Sequence, residues 1–143
     1  MAHSWISNNM KATEILMEGM DKRDTYSILL EFIRFAAEHL ELKQLPKMEF
    51  KFDTERSVEH KSFGGYGGHH INITVVNRHI MDVCRTLAHE LVHFKQDLNH
   101  ELDGPDPGAT GSPQENEANA EAAVIMRNWG KKHPELFEKE SIL

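Results

Sequence analysis

Cysteine is nearly missing from this chain: Cys84 stands alone among 143 residues. A single cysteine excludes a disulfide framework and a thiolate zinc cluster, both of which need several. Cys84 falls on the apolar stripe of a helical stretch, where a buried, inert thiol is the expected role. Positive charge is also short. Sixteen Lys and Arg against 23 Asp and Glu leave a formal net charge of -7. No basic stripe offsets it, so neither a nucleic-acid partner nor an anionic membrane surface is expected. No run approaches about eighteen consecutive apolar residues, which argues against a membrane span. The stretch Met1 to Asn9 has no basic segment followed by an apolar run, so no secretion signal is read and a cytoplasmic location is expected.

What is present suits one globular α+β domain spanning residues 1–143, with 39% hydrophobic and 27% charged residues. A short amphipathic helix is expected near Met10–Met20. A firmer one runs from about Thr25 to Leu42, with Asp24 as its N-cap and Leu29, Phe32, Ile33, Ala36 and Leu40 on its apolar stripe. Past Pro46 the period changes to two. Met48, Phe50 and Phe52 alternate with charged neighbours as a half-buried strand. The glycine-dense segment Ser62 to Gly68 reads as strand and turn with close backbone approaches. It lacks the Gly-Lys-Ser/Thr ending and the immediate helix of a phosphate loop, so nucleotide binding is set aside. Ile71, Ile73 and Val75 mark a third strand, making a small antiparallel or mixed sheet. Asn77 is the expected cap of the next helix, which runs to about Asn99.

That helix carries the residues with the most chemical content, His89-Glu90-Leu91-Val92-His93. Residues four apart stand on one helical face. His89 and His93 can therefore each offer a ring nitrogen to one ion at about 2.0–2.1 Å. Glu90 sits about 100° round the helix, away from the ligand direction but placed to handle a proton on a water. The bland alternative is a surface helix. Its apolar stripe is Ile80, Val83, Cys84, Leu87, Leu91, Phe94 and Leu98, and the two histidines share the other side with Asp82, Thr86 and Gln96.

A catalytic zinc takes three protein ligands and keeps one position open. His100 lies eleven residues past His89, roughly 16 Å along a continuous helix, and is discarded as a ligand. Asp103 and Asp106 sit in an Asp/Gly/Pro-rich loop that fixes no geometry. A last helix is expected from about Gln114 to Trp129, ended by Gly130, with a loose turn in the tail. On it Glu115, Ala118, Ala122, Ile125 and Trp129 form one stripe headed by a carboxylate. Glu115 is costly to bury there unless paired or bound to metal. Its alternative role is the N3 acid of a capping box, Ser112-Pro113-Gln114-Glu115. Asn119, one turn on, is placed to orient a ligand histidine.

The HELVH segment followed by Glu115-x-x-Ala118-Asn119-x-x-Ala122 resembles the paired motifs of gluzincin-type zinc metallopeptidases. The run from Gly65 through Lys132, about half the chain, resembles small metallopeptidase-like proteins often encoded by bacteriophages. The resemblance implies a minimal zincin-like core and one Zn2+ per chain. It also implies His89, His93 and Glu115 as ligands, Glu90 as general base, a peptide or protein substrate, and a bacterial or phage-infected host cytoplasm. Asn119 stands where many members carry Asp, and a neutral amide raises a histidine's basicity less. Tyr66, His69, His70 and His100 are candidates to stabilise an oxyanion or contact substrate, and the edge of the Ile71–Val75 strand is a candidate to pair with an extended substrate. The alternative is a zincin-like domain that holds zinc and recognises a protein without cleaving it. Peptide deformylase shares the HExxH pattern but takes a cysteine ligand from a separate segment, whereas Cys84 lies on the far side of this helix.

Overall fold

The computed structural model describes residues 19–52, 64–102 and 107–143. Over these residues the chain is α+β, three long helices against a small three-stranded mixed sheet. Helix α1 spans Lys22–His39, strand β1 Lys47–Lys51, β2 Gly64–Gly67 and β3 His70–Thr74. Helix α2 spans Ile80–Leu98, α3 spans Pro113–Lys132, and a 3₁₀ turn follows over Pro134–Glu138. The helix expected near Met10 lies outside the described residues apart from its end. Met20, at that end, pairs with Ile142 in a parallel bridge.

The α1 stripe packs as its spacing predicts: Leu29, Phe32, Ile33, Ala36 and Leu40 are all buried. The cap differs. Asp21, not Asp24, closes the helix start, its Oδ1 accepting from the Asp24 N–H at 2.8 Å. In the sheet β1 lies parallel to β3 and β2 antiparallel to it, in the order β1-β3-β2. The strand expected to offer an edge to substrate is therefore the central one, with both sides already paired. The β2–β3 turn places Gly68 and His69 at φ of 57° and 59°, the left-handed pair that a tight hairpin requires. Gly64 brings β2 hard against α2, where a Cβ would stand 2.6 Å from Thr86 Cγ2.

Helix α2 runs through the middle of the molecule, packed by α3, α1 and the sheet. Its cap is His79, whose Nδ1 accepts from the Met81 N–H at 3.0 Å. Asn77, the expected cap, instead takes the left-handed conformation that Asn tolerates and donates its N–H to the Ile142 carbonyl. Helix α3 runs past Gly130 to Lys132, with His133 as its cap. Gly130 is buried inside the helix, and a Cβ there would stand 2.9 Å from the Phe137 ring. Its role is packing, not termination. Trp129 fills the α1–α3 junction, edge-on to Phe32 at 5.2 Å and tilted against Phe35 at 5.3 Å. The tail is anchored: Leu136 and Ile142 are buried, and Ile142 bonds back to Arg78. Among the described residues no helix is long and apolar enough to cross a membrane.

Candidate metal centre

Around the histidines, the side of α2 opposite its apolar stripe is not a solvent face. Ala118 and Ala122, both buried, let α3 approach closely, and its N-terminal turn covers that side. Glu90 is left 8% exposed, His93 7% and Gln96 1%, so the surface-helix alternative does not describe this helix. His89 and His93 stand one turn apart, rings edge-on at 4.7 Å between centroids, with their Nε2 atoms 3.1 Å apart. Glu115 reaches in from α3. Its Oε1 lies 2.8 Å from His93 Nε2 and its Oε2 lies 3.2 Å from His89 Nε2.

Glu115 is not the reciprocal half of a capping box. Ser112 caps α3, its Oγ accepting from the Glu115 N–H at 3.1 Å. The Ser112 N–H goes to the Ala109 carbonyl rather than to the Glu115 carboxylate. The capping residue thus fixes the backbone of the very residue whose side chain turns to the histidines.

Protonation chemistry tests whether these three residues suit a metal. Gln96 Nε2 lies 3.0 Å from the Gln114 carbonyl and 2.8 Å from Glu117 Oε1. Both are acceptors, which places the amide NH2 there and leaves Gln96 Oε1 facing His93 Nδ1 at 2.8 Å. Nδ1 must therefore carry the hydrogen, and in the neutral ring Nε2 keeps its lone pair. That lone pair points at a carboxylate oxygen and at a second imidazole nitrogen, both within hydrogen-bond distance. Such a convergence repels itself unless a hydrogen or a cation sits between the groups. A proton meets that need for one pair, and a metal ion meets it for all three. Ligand atoms at about 2.0–2.1 Å from a tetrahedral zinc lie roughly 3.3 Å from one another. The observed separations are 2.8–3.2 Å. Two imidazoles and one carboxylate also form a donor set that suits zinc. The residues fit the ion.

Beside the cluster opens a cavity of about 260 Å³, lined by Glu90, His93 and Glu115 together with Gly65, Tyr66 and Pro107. Burial pushes the Glu90 carboxyl up to about 7; His93 pulls it down and Glu115 adds to the rise. A buried acid balanced near neutral pH can both take and return a proton.

The other sequence candidates scatter. Tyr66 alone of the four lines this cavity, and its hydroxyl donates to Asp97 Oδ2. Burial and then Asp97 hold that hydroxyl far above the usual phenol range. His69 is exposed at the hairpin turn, its Nε2 3.3 Å from the same Asp97 oxygen. His70 faces Glu49 at 3.8 Å, away from the cluster. His100 is exposed in the turn after α2. Asn119, expected to orient a ligand histidine, is exposed on α3, and it is Gln96 that bonds His93. Asp103 and Asp106 lie outside the described residues. Sequence reasoning missed the parts played by Gln96 and Asp97. The signal for Gln96 was its spacing, three residues past His93 on the same helical face; Asp97 meets Tyr66 across 31 positions, and no local signal marks it.

Comparison with models of known protein families, with curated proteins and with solved structures finds no match to this chain.

Proposed function

We propose that this chain is a zinc-dependent peptide hydrolase of the gluzincin kind. His89, His93 and Glu115 hold the ion, and Glu90 is the general base. The observation that carries the reading is the meeting of a neutral imidazole lone pair, a second imidazole and a carboxylate beside a cavity that contains one further buried acid. Zinc held there supplies Lewis acidity and brings the pKa of a water down to about 7.

The chain's own residues account for the remaining steps. Glu90 lies against the cavity rather than in the ligand cluster, so its carboxylate takes a proton from water and returns it to the leaving amine. Gln96 keeps the His93 lone pair directed at the cluster. Among the described strands β2 stands at an edge of the sheet, and Gly65 on it borders the cavity. A side-chain-free position on an edge strand suits an extended peptide laid alongside, with main-chain hydrogen bonds providing affinity. Tyr66, committed to Asp97, serves as a wall of the cavity and fixes β2 to α2.

The test is cleavage of unfolded protein substrates by zinc-loaded wild type and by Glu90→Gln, read by mass spectrometry of new termini. Loss of the base should lower turnover by about 10²–10⁴-fold while zinc content is retained. Equal turnover in the two proteins rejects Glu90 as base. Stoichiometric zinc with no cleavage of any substrate, and a captured protein partner, favours the recognition module.

A further inference from the structure

Resting on the metal-site reading above, we infer that Gln96 is a positioning residue that sets both the donor atom of His93 and the station of Glu115. Gln96 is 1% exposed, and its amide oxygen and both its N–H groups are engaged across two helices. From α2 its Oε1 accepts the His93 Nδ1 hydrogen at 2.8 Å. Towards α3 its two N–H groups go to the Gln114 carbonyl at 3.0 Å and to Glu117 Oε1 at 2.8 Å. Gln114 and Glu117 bracket Glu115 in the chain. One amide therefore grips one ligand directly and grips the third ligand by the residues on either side of it.

Packing alone does not call for an amide here. Both helices contribute apolar residues to the core, Leu87 and Leu91 from α2 and Ala118, Ala122 and Ile125 from α3, and an apolar residue of similar length at position 96 would avoid desolvating a polar group. The amide's distinct capability is polarity at both ends. It offers an acceptor to the ring and donors to α3, and neither a carboxylate nor an aliphatic chain offers both. Partners of this kind, one bond removed from a metal, typically affect its affinity by about 10–100-fold.

Three variants separate the two arms. Gln96→Leu removes both. Gln96→Glu keeps an acceptor for His93, now a charged one, but turns a second oxygen on the Gln114 carbonyl and the Glu117 carboxylate, breaking the α3 arm. Gln96→Glu with Glu117→Gln restores a donor across the helix pair. The measurements are zinc affinity by competition with a chromophoric chelator, and the His93 tautomer by ¹⁵N NMR of the zinc-free protein at mildly alkaline pH. Circular dichroism monitors helix content. Wild type is expected to show His93 as the Nδ1–H form, and Gln96→Leu a mixture of forms with affinity down by about 10–100-fold. Gln96→Glu is expected to keep the Nδ1–H form yet bind zinc more weakly, and the double variant to recover most of that loss. A folded Gln96→Leu that binds zinc as wild type does, or a double variant no better than Gln96→Glu, overturns the assignment of Gln96. Wild type that takes up no zinc overturns the metal reading itself, a separate outcome.

Discussion

Glu90 is expected to make the metal-free protein less stable as pH rises, and Glu90→Gln should remove that dependence. Glu90 is 8% exposed, and burial lifts its carboxyl from the ordinary 4.5 to about 7. His93 opposes that rise and Glu115 on α3 adds to it. Between these two pH values the folded chain binds a proton that the unfolded chain has released. The stabilisation is thus fully present below about 4.5, declines through the interval, and is gone above about 7. At about 1.4 kcal/mol per pH unit the full span is about 3 kcal/mol, a large share of a typical 5–15 kcal/mol domain stability. Glutamine keeps the size and stays neutral, so the variant should gain on wild type by about 3 kcal/mol across the interval. Urea unfolding of both proteins in chelator, at intervals from pH 5 to pH 8, measures the difference directly. A cation in the cluster should shrink it, because it stabilises the Glu90 carboxylate that burial disfavours. A wild-type-to-variant difference that stays flat with pH refutes the reasoning. A buried acid kept at that cost to stability fits a group held for proton transfer.

Glu115→Ala is expected to weaken zinc binding by about two orders of magnitude or more, whereas Glu121→Ala, on an exposed pair with His39, should leave it unchanged; chelator competition reads both. Asp21→Ala should cost about 1 kcal/mol as a lost N-cap, and Asp24→Ala only a few tenths, measured by urea unfolding.

The helices were legible because each carries a wide apolar stripe, and β1 because its residues alternate. Their ends were less so. Asp21 and Asp24 are equally good caps by type, and Asn77 is a better one by type than His79, so the path of the preceding chain decides in both cases. Gly130 looked like a terminator because the Phe137 ring that needs its bare backbone belongs to a turn with little local signal. The central place of β3 could not be read from any one segment, since strand order is set by pairings between distant parts of the chain. The histidine pair and Glu90 were written in spacing alone. Glu115 was legible one step further out, as an acid heading an apolar stripe. Asn119 was the expected support for a ligand histidine, but it is exposed on α3, and Gln96 on α2 bonds His93 instead.

The most direct test of the account is anomalous X-ray scattering at the zinc edge from crystals of wild-type protein prepared with zinc. The account predicts one zinc per chain, within coordination distance of His89 Nε2, His93 Nε2 and the Glu115 carboxylate. A crystal in which that cluster holds no metal at saturating zinc, or in which the peak lies on other residues, contradicts it.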